Sequence, residues 1–160
     1  MLNVKISFLA YKNKECQVAL ENYNEAAKLD PHDATFLANK AAVYVELAKY
    51  EDAAACCRIA LKLAHEYGCT RALFAKLYSR LGNCEKGQKK WKDAIKLYNT
   101  SLAIENNPNV LKLRNLSVKV NLRSNLANST TFINTSNTLV KKVRRSIMNS
   151  LVQQKKIRNS

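Results

Sequence analysis

The chain has 160 residues, which is enough for one domain with a real core and not comfortably enough for two. With only three Gly and two Pro, the composition is typical of a mostly helical protein and argues against a turn-rich β-sandwich. The formal net charge of +15 would by itself suggest a partner such as nucleic acid or anionic lipid.

The basic residues are concentrated towards the C-terminus. No acidic residue follows Glu105, and eleven Lys and Arg residues lie beyond it, so residues 1–105 carry a net charge of only +4. The sequence therefore divides into a balanced body and a basic tail rich in Asn, Ser and Thr.

The five cysteines do not predict a disulfide framework or a metal site. Their number is odd, no C-x-x-C pair occurs, and His32 and His65 are the only histidines. The apolar runs are short, and MLNVKISFLAYK lacks the cleavage site of a secretory signal. We therefore expect a cytosolic protein, with the nucleus as the alternative, that uses no cofactor and no metal.

The first predicted element, at the N-terminus, is ambiguous. Leu2, Val4, Ile6 and Phe8 alternate with polar or small residues as in a strand, although the repeat described next requires a helix there.

Three stretches of the body share one internal pattern. In each, an Ala is followed four residues later by an aromatic residue or Cys, and then three residues later by a small residue. These spacings return to the same side of a helix. The triplets are Ala19, Tyr23, Ala26; Ala53, Cys57, Ala60; and Ala94, Tyr98, Ser101.

A helix, a short turn and a second helix with this spacing form the tetratricopeptide pattern, whose period is 34 residues. Small residues at the expected helix crossings, Ser7, Ala41 and Gly82, are 34 and then 41 residues apart, which indicates a seven-residue extension before the third repeat. The alternative, a helical bundle with coincidental spacing, is disfavoured by the three aligned copies.

We predict an all-α fold, a right-handed α-solenoid of three tetratricopeptide repeats plus a capping helix. The predicted boundaries are a repeat domain at 1–114 with repeats at about 1–33, 34–67 and 75–108, an extended helix at about 54–67, a capping helix at 109–122, and a basic tail at 123–160 that is mobile or partly helical.

The first helix of each repeat is expected to line a concave groove. In TFLANKAAVYVE, the side of Ala41 packs, while Thr35, Asn39 and Glu46 fall on or near the other face.

The third repeat places two cations on the equivalent face. Lys76 and Arg80 are one helical turn apart, and Asn83 begins the next turn. Like charges at that spacing weaken an isolated helix by a few tenths of a kcal/mol, so another role is expected for them. Lys, Arg and Asn together suit the binding of carboxylates.

A resemblance to a known family rests on four segments: TFLANKAAVYVELAKYEDA, AKLYSRLGN, WKDAIKLYNTSLA and NPNVLK. In order and spacing they resemble the middle tetratricopeptide domain of the heat-shock protein 70/90 organising protein (Sti-like) family, over about residues 10–113. The resemblance implies a carboxylate clamp for the Met-Glu-Glu-Val-Asp C-terminus of the cytosolic 90-kDa chaperone. It assigns Asn39, Lys76 and Arg80 to three of five clamp positions and Tyr11, Thr35, Glu46 and Asn83 to accessory groove positions.

The other two clamp positions do not carry over. The family pattern has Lys and Asn where this chain has Val4 and Phe8. Because a charge-assisted hydrogen bond contributes on the order of 1.5–3 kcal/mol, their loss should weaken binding. The resemblance thus implies a co-chaperone adaptor with a weakened clamp for the 90-kDa chaperone, and secondarily for the 70-kDa chaperone. Both ends of the chain depart from the family pattern.

The basic tail supports an alternative function. LVKKVRRSIMNSLVQQKKI spaces Leu139, Val143, Ile147 and Leu151 four apart among Lys and Arg, as in helices that bind membrane surfaces or calmodulin. KKVRR could equally serve as a nuclear-import or RNA-binding patch, and basic runs are most often simply solvated. The alternative is therefore a repeat scaffold whose tail associates with nucleic acid or an anionic membrane.

An enzyme is the function class that the sequence favours least. No Ser/His/Asp or Cys/His set can be assembled from His32 and His65, and no Gly-rich phosphate loop is present.

Overall fold

The computed structural model describes residues 15–158, without the side chains of 132–134, 147 and 149–158. Across these residues the chain forms six α-helices and no strand, which confirms the all-α prediction. The helices are α1 (Cys16–Leu29), α2 (Ala34–Glu46), α3 (Tyr50–Tyr67), α4 (Arg71–Gly87), α5 (Trp91–Ile104) and α6 (Pro108–Arg158). The alternating segment at the N-terminus lies outside the described residues.

The residues of the three triplets all lie in the core of the repeats. All nine members of the three triplets are at most 3% exposed. They lie on α1, α3 and α5, the second helix of each repeat, and consecutive helices from α1 to α5 pack against each other. The small residues let the helix axes approach, and the larger residue in each triplet fills the space between them.

Helices α2 and α4 end in the same tight turn, 41 residues apart. After α2, the Lys49 amide donates to the Tyr44 carbonyl (2.9 Å), and Ala48 has a left-handed φ of 56°. After α4, the Lys90 amide donates to the Glu85 carbonyl (2.8 Å), and Lys89 has a left-handed φ of 62°. This Schellman geometry satisfies the last carbonyls of each helix and reverses the chain into the second helix of the repeat.

The seven-residue extension is shared between two helices. Helix α3 has 18 residues where α1 and α5 have 14, and α4 has 17 where α2 has 13. The loop between α3 and α4 is one residue shorter than the loop between α1 and α2. Each helix is therefore about one turn longer, and the helix predicted at about 54–67 begins at Tyr50.

Gly82 allows α4 and α5 to approach closely. A Cβ atom at Gly82 would lie 2.6 Å from Cε1 of Tyr98, whose side chain is fully buried. Gly87 has a similar role, because a Cβ there would collide with the ring of Tyr50. Tyr50 is only half-buried, so this second approach is less constrained.

The C-terminal helix differs from the prediction. Helix α6 begins at Pro108 and continues to Arg158, whereas the capping helix was expected at 109–122 and the tail was expected to be mobile or partly helical. No Gly follows Gly87 and no Pro follows Pro108, so the sequence contains no strong helix breaker there. The Ser and Thr side chains, which suggested a disordered tail, instead bond back to carbonyls one turn earlier, as Thr131 does to Ala127 (2.9 Å).

The chain divides into two compact units, residues 1–120 and 121–160. The predicted repeat boundaries stay predictions, because much of the first repeat precedes residue 15. In the part of the chain that the structure describes, no helix combines the length and the hydropathy that are needed to cross a bilayer.

Candidate functional site

Helix α4 places three predicted groove residues on one cavity. Lys76, Arg80 and Asn83 all line a cavity of about 420 Å³ in the first unit. Because these residues are separated by four and three positions, they lie on one side of α4. The remaining lining comes from small residues of α4, the end of α5 and the start of α6: Ala72, Ala75, Ser79, Ser101, Glu105, Asn107 and Val110.

Lys76 also borders a second cavity, of about 340 Å³, which Thr35 helps to line. Thr35 is fixed at the start of α2, since its amide donates to the N-cap carboxylate of Asp33 (2.8 Å). Lys76 is exposed, and among the described residues its ammonium group makes no hydrogen bond or ion pair. Its ammonium group is therefore available to a ligand in either cavity.

Arg80 is held between helices. Its Nη1 atom donates to the backbone carbonyl of Ala38 (2.6 Å), which joins α4 to α2. Burial raises the pKa of Tyr23 and that of Cys57, the latter to about 12, and the charge of Arg80 partly opposes both shifts. Arg80 thus has a fixed position and supports the helix packing as well as lining the cavity.

Asn83 is held by the core beneath the cavity. The hydroxyl of Tyr98 donates to Oδ1 of Asn83 (2.7 Å), and burial raises the pKa of Tyr98 above its usual range, so the phenol remains a donor. With its oxygen occupied in this way, Asn83 has its amide NH₂ left to donate. The cavity therefore presents one mobile ammonium, one fixed guanidinium and one amide donor.

The structure does not bring every predicted residue to this cavity. Asn39 is half-buried on α2 and directly follows Ala38, but it is not part of the lining of either cavity. Glu46, at the end of α2, is eleven positions from Thr35, which corresponds to roughly 16 Å along the helix. Tyr11 lies outside the described residues, as do the departures at Val4 and Phe8.

Three polar residues of the cavity, Ser79, Glu105 and Asn107, were missed by sequence reasoning. Glu105 adds an acidic group to the lining, and Asn107 caps α6, since its Oδ1 accepts from the Asn109 amide (2.9 Å). The sequence did contain a signal for Asn107, because an Asn immediately before Pro108 is typical of a helix N-terminus. The pattern gives no comparable signal for Glu105, which is brought to α4 by the packing of α5.

The cysteines take no part in this site. All five are free, and burial raises the pKa of the Cys56, Cys57 and Cys84 thiols, which makes them unreactive core residues. Within residues 15–158, no group of three or more His, Cys, Asp or Glu side chains is placed to hold a metal ion.

Comparisons with known proteins agree with the repeat. Residues 33–106 match a family model described as tetratricopeptide repeat. A relative from Glycine max, named Hsp70-Hsp90 organizing protein 1, is 32% identical over 114 residues, which is 69% of this chain and 20% of that protein. The chain thus spans about a fifth of the length of the curated relative that it matches.

Two solved structures are also similar. The N-terminal domain of stress-induced protein-1 (STI-1) from C. elegans has 31% identity and a TM-score of 0.64, and the alignment covers 72% of this chain and 91% of that one. The TPR2AB domain of yeast Sti1, in a complex with pHSP90, has 27% identity and a TM-score of 0.70, with 77% and 47% covered.

Proposed function

Because the chain belongs to the tetratricopeptide repeat family, we propose that it is a non-enzymatic co-chaperone adaptor that binds the acidic C-terminal peptide of the cytosolic 90-kDa heat-shock chaperone. The proposal rests on one observation above all, the convergence of Lys76, Arg80 and Asn83 on a single cavity. These three side chains offer the donors that a peptide carboxylate needs.

The hydrogen-bond donors in the cavity differ in how far they are preorganised for a ligand. Arg80 and Asn83 are already held by the Ala38 carbonyl and the Tyr98 hydroxyl, so binding would cost little further side-chain entropy at these two positions. Lys76 is exposed, and its long side chain would have to be ordered by the ligand. The fixed pair would set the position of a carboxylate, and Lys76 would add charge.

Two features should limit the affinity. Glu105 lines the same cavity and would repel an acidic peptide. Val4 and Phe8 stand where the family resemblance expects a Lys and an Asn, so the first repeat would contribute no clamp donors. We therefore expect binding weaker than micromolar. Asn39 lines neither cavity, so its proposed contact from the second repeat rests on the family resemblance alone.

The names of the relatives support both chaperones as candidate partners. The yeast neighbour is in a complex with pHSP90, and the relative from Glycine max is named for both Hsp70 and Hsp90. We propose the 90-kDa chaperone as the main partner and the 70-kDa chaperone as the second, in the cytosol where both carry acidic C-termini.

Titration of the full chain with the pentapeptide Met-Glu-Glu-Val-Asp tests the proposal. We expect Lys76→Ala to weaken binding by about tenfold, the scale of one charge-assisted hydrogen bond, and Glu105→Gln to strengthen it several-fold. Lys62→Ala is the matched control, because Lys62 is exposed on α3 and lines neither cavity.

Two results would overturn this function. One is the absence of binding at millimolar peptide. The other is equal binding of a pentapeptide whose C-terminal carboxylate is amidated, since a carboxylate-binding cavity must distinguish the two.

A further inference from the structure

The second unit exposes a row of large apolar side chains on α6. Leu122, Leu126, Leu139, Val140 and Val143 are between 50% and 70% exposed. With about 100° of rotation per residue, all five fall within a sector of roughly 140°. Outside this sector, Met148 is also exposed.

The rest of the helix circumference carries cations. Lys141, Lys142, Arg144 and Arg145 are all exposed. Lys141, Lys142 and Arg145 lie outside the apolar sector, and Arg144 lies on its edge, at the same angle as Leu126. No acidic residue follows Glu105, so within residues 121–160 these charges have no carboxylate side chain to neutralise them. The helix is therefore apolar on one side and strongly cationic on the other.

We propose that α6, within residues 121–148, binds an anionic lipid surface and lies along it. A lipid interface provides partners for both kinds of side chain. Its acidic headgroups would bind the cations, and its apolar acyl boundary would bury the Leu and Val side chains. Because Lys and Arg have long side chains, they can reach the headgroups while the apolar row is buried. The helix would lie in the interface rather than cross it, consistent with its low hydropathy.

Nucleic acid fits this surface less well. Phosphates would neutralise the cations but would leave the exposed Leu and Val side chains in water. After Tyr98 the only aromatic residue is Phe132, so the sequence of the tail offers few residues on which bases could stack.

An acidic protein groove also fits less well. Grooves that take an amphipathic helix read closely spaced anchors at i, i+3, i+4 and i+7. Here the apolar row is interrupted between Leu126 and Leu139 by a stretch of mostly Asn, Ser and Thr. A planar lipid surface tolerates such an interruption, because it has no pockets at fixed positions.

Flotation of the full chain with lipid vesicles tests the proposal. One set of vesicles contains phosphatidylcholine alone, and the other contains equal parts of phosphatidylcholine and phosphatidylserine. We expect binding only to the second set. The variant K141Q/K142Q/R144Q/R145Q should bind at least about a hundredfold more weakly, and L139S/V143S at least about tenfold more weakly.

Two matched controls separate the proposal from general effects. K62Q/K92Q/K112Q/K119Q removes the same charge from exposed positions of the first unit, and L29S/I59S removes apolar side chains of similar exposure there. Both should retain binding, and circular dichroism should show that all four variants remain helical.

Three outcomes would overturn the proposal. The first is no binding to the phosphatidylserine vesicles. The second is full retention of binding by L139S/V143S, which would indicate attraction by charge alone. The third is tighter binding to duplex DNA, duplex RNA or calcium-loaded calmodulin than to the vesicles, with the same dependence on Leu139 and Val143. Since no residue of this surface is among those that line the peptide cavity, either proposal can fail without the other.

Discussion

The helices of residues 15–120 and the helix of residues 121–158 are stabilised in different ways. In the first unit, Ala, Cys and Tyr side chains at fixed spacings are buried against neighbouring helices. In the second, the described side chains are almost all exposed, and four hydroxyls, those of Ser129, Thr130, Thr131 and Thr135, bond to carbonyls of their own helix. Helix formation in the first unit therefore depends on tertiary packing, and in the second on local interactions.

The largest expected difference between the two units is the effect of alkaline pH on their stability. Burial raises the pKa of Cys57 to about 12 and of Cys84 to about 11, from an ordinary value of 9.0. Each thiol keeps its proton in the folded state, so its stabilising effect is complete below pH 9 and is lost as the pH rises towards the folded value. The free energy of unfolding of the first unit should fall by about 1.4 kcal/mol per pH unit for each thiol.

The measurement is urea unfolding from pH 8 to 11, followed by the fluorescence of Trp91, the only tryptophan, which lies in the first unit. Residues 121–158 contain no Cys and no Tyr, so their helical signal should not follow this dependence. An unchanged slope in C57A/C84A would contradict the explanation.

A Cβ atom at Gly82 should destabilise the first unit alone. Gly82→Ala places a methyl group against the fully buried ring of Tyr98, and overpacking of this kind costs about 1–3 kcal/mol. Gly87→Ala should cost less, because the half-buried Tyr50 ring can move. Thermal unfolding followed at Trp91 gives the ranking, and the reverse order would show that the α4–α5 contact is the looser of the two.

Removal of one hydroxyl group should lower the stability of the first unit and raise that of the second. Ser101 is buried and donates to the Ala75 carbonyl across two helices (2.7 Å), so Ser101→Ala should cost about 1 kcal/mol. The hydroxyl of Thr131 donates to the Ala127 carbonyl within its own helix. Thr131→Ala should stabilise that helix by about 0.5 kcal/mol, because Ala has the higher helix propensity. Trp91 fluorescence follows the unfolding of the first unit in Ser101→Ala, and circular dichroism follows the helix content in Thr131→Ala. A loss of helix in Thr131→Ala would mean that the second unit also depends on packing.

The fold could be predicted largely because its signal is local. Ala19, Tyr23 and their counterparts repeat at spacings that only one helix face satisfies, so the buried residues were identified correctly. The extent of α6 could not be predicted, since Asn, Ser and Thr are typical of disordered segments. Their hydroxyls satisfy helix carbonyls here, and composition alone does not reveal that.

The site was predictable only in part, for a similar reason. Lys76, Arg80 and Asn83 were expected on one face because they belong to one helix. The bond from Arg80 to Ala38 and the presence of Glu105 in the cavity join residues that are far apart in sequence. Contacts of this kind depend on how the helices pack, which helical spacing does not specify.

The bond from Arg80 to Ala38 has a consequence for the evolution of this protein. Its guanidinium joins α4 to α2 through the Ala38 carbonyl without the help of a bound peptide. Under the proposed function, a descendant that had lost peptide binding would therefore still be under selection to keep Arg80, whereas selection would no longer act on the exposed Lys76. Under the proposed function, the residue found at position 76 in such descendants would report on peptide binding, whereas Arg80 at position 80 would not by itself distinguish binding from folding.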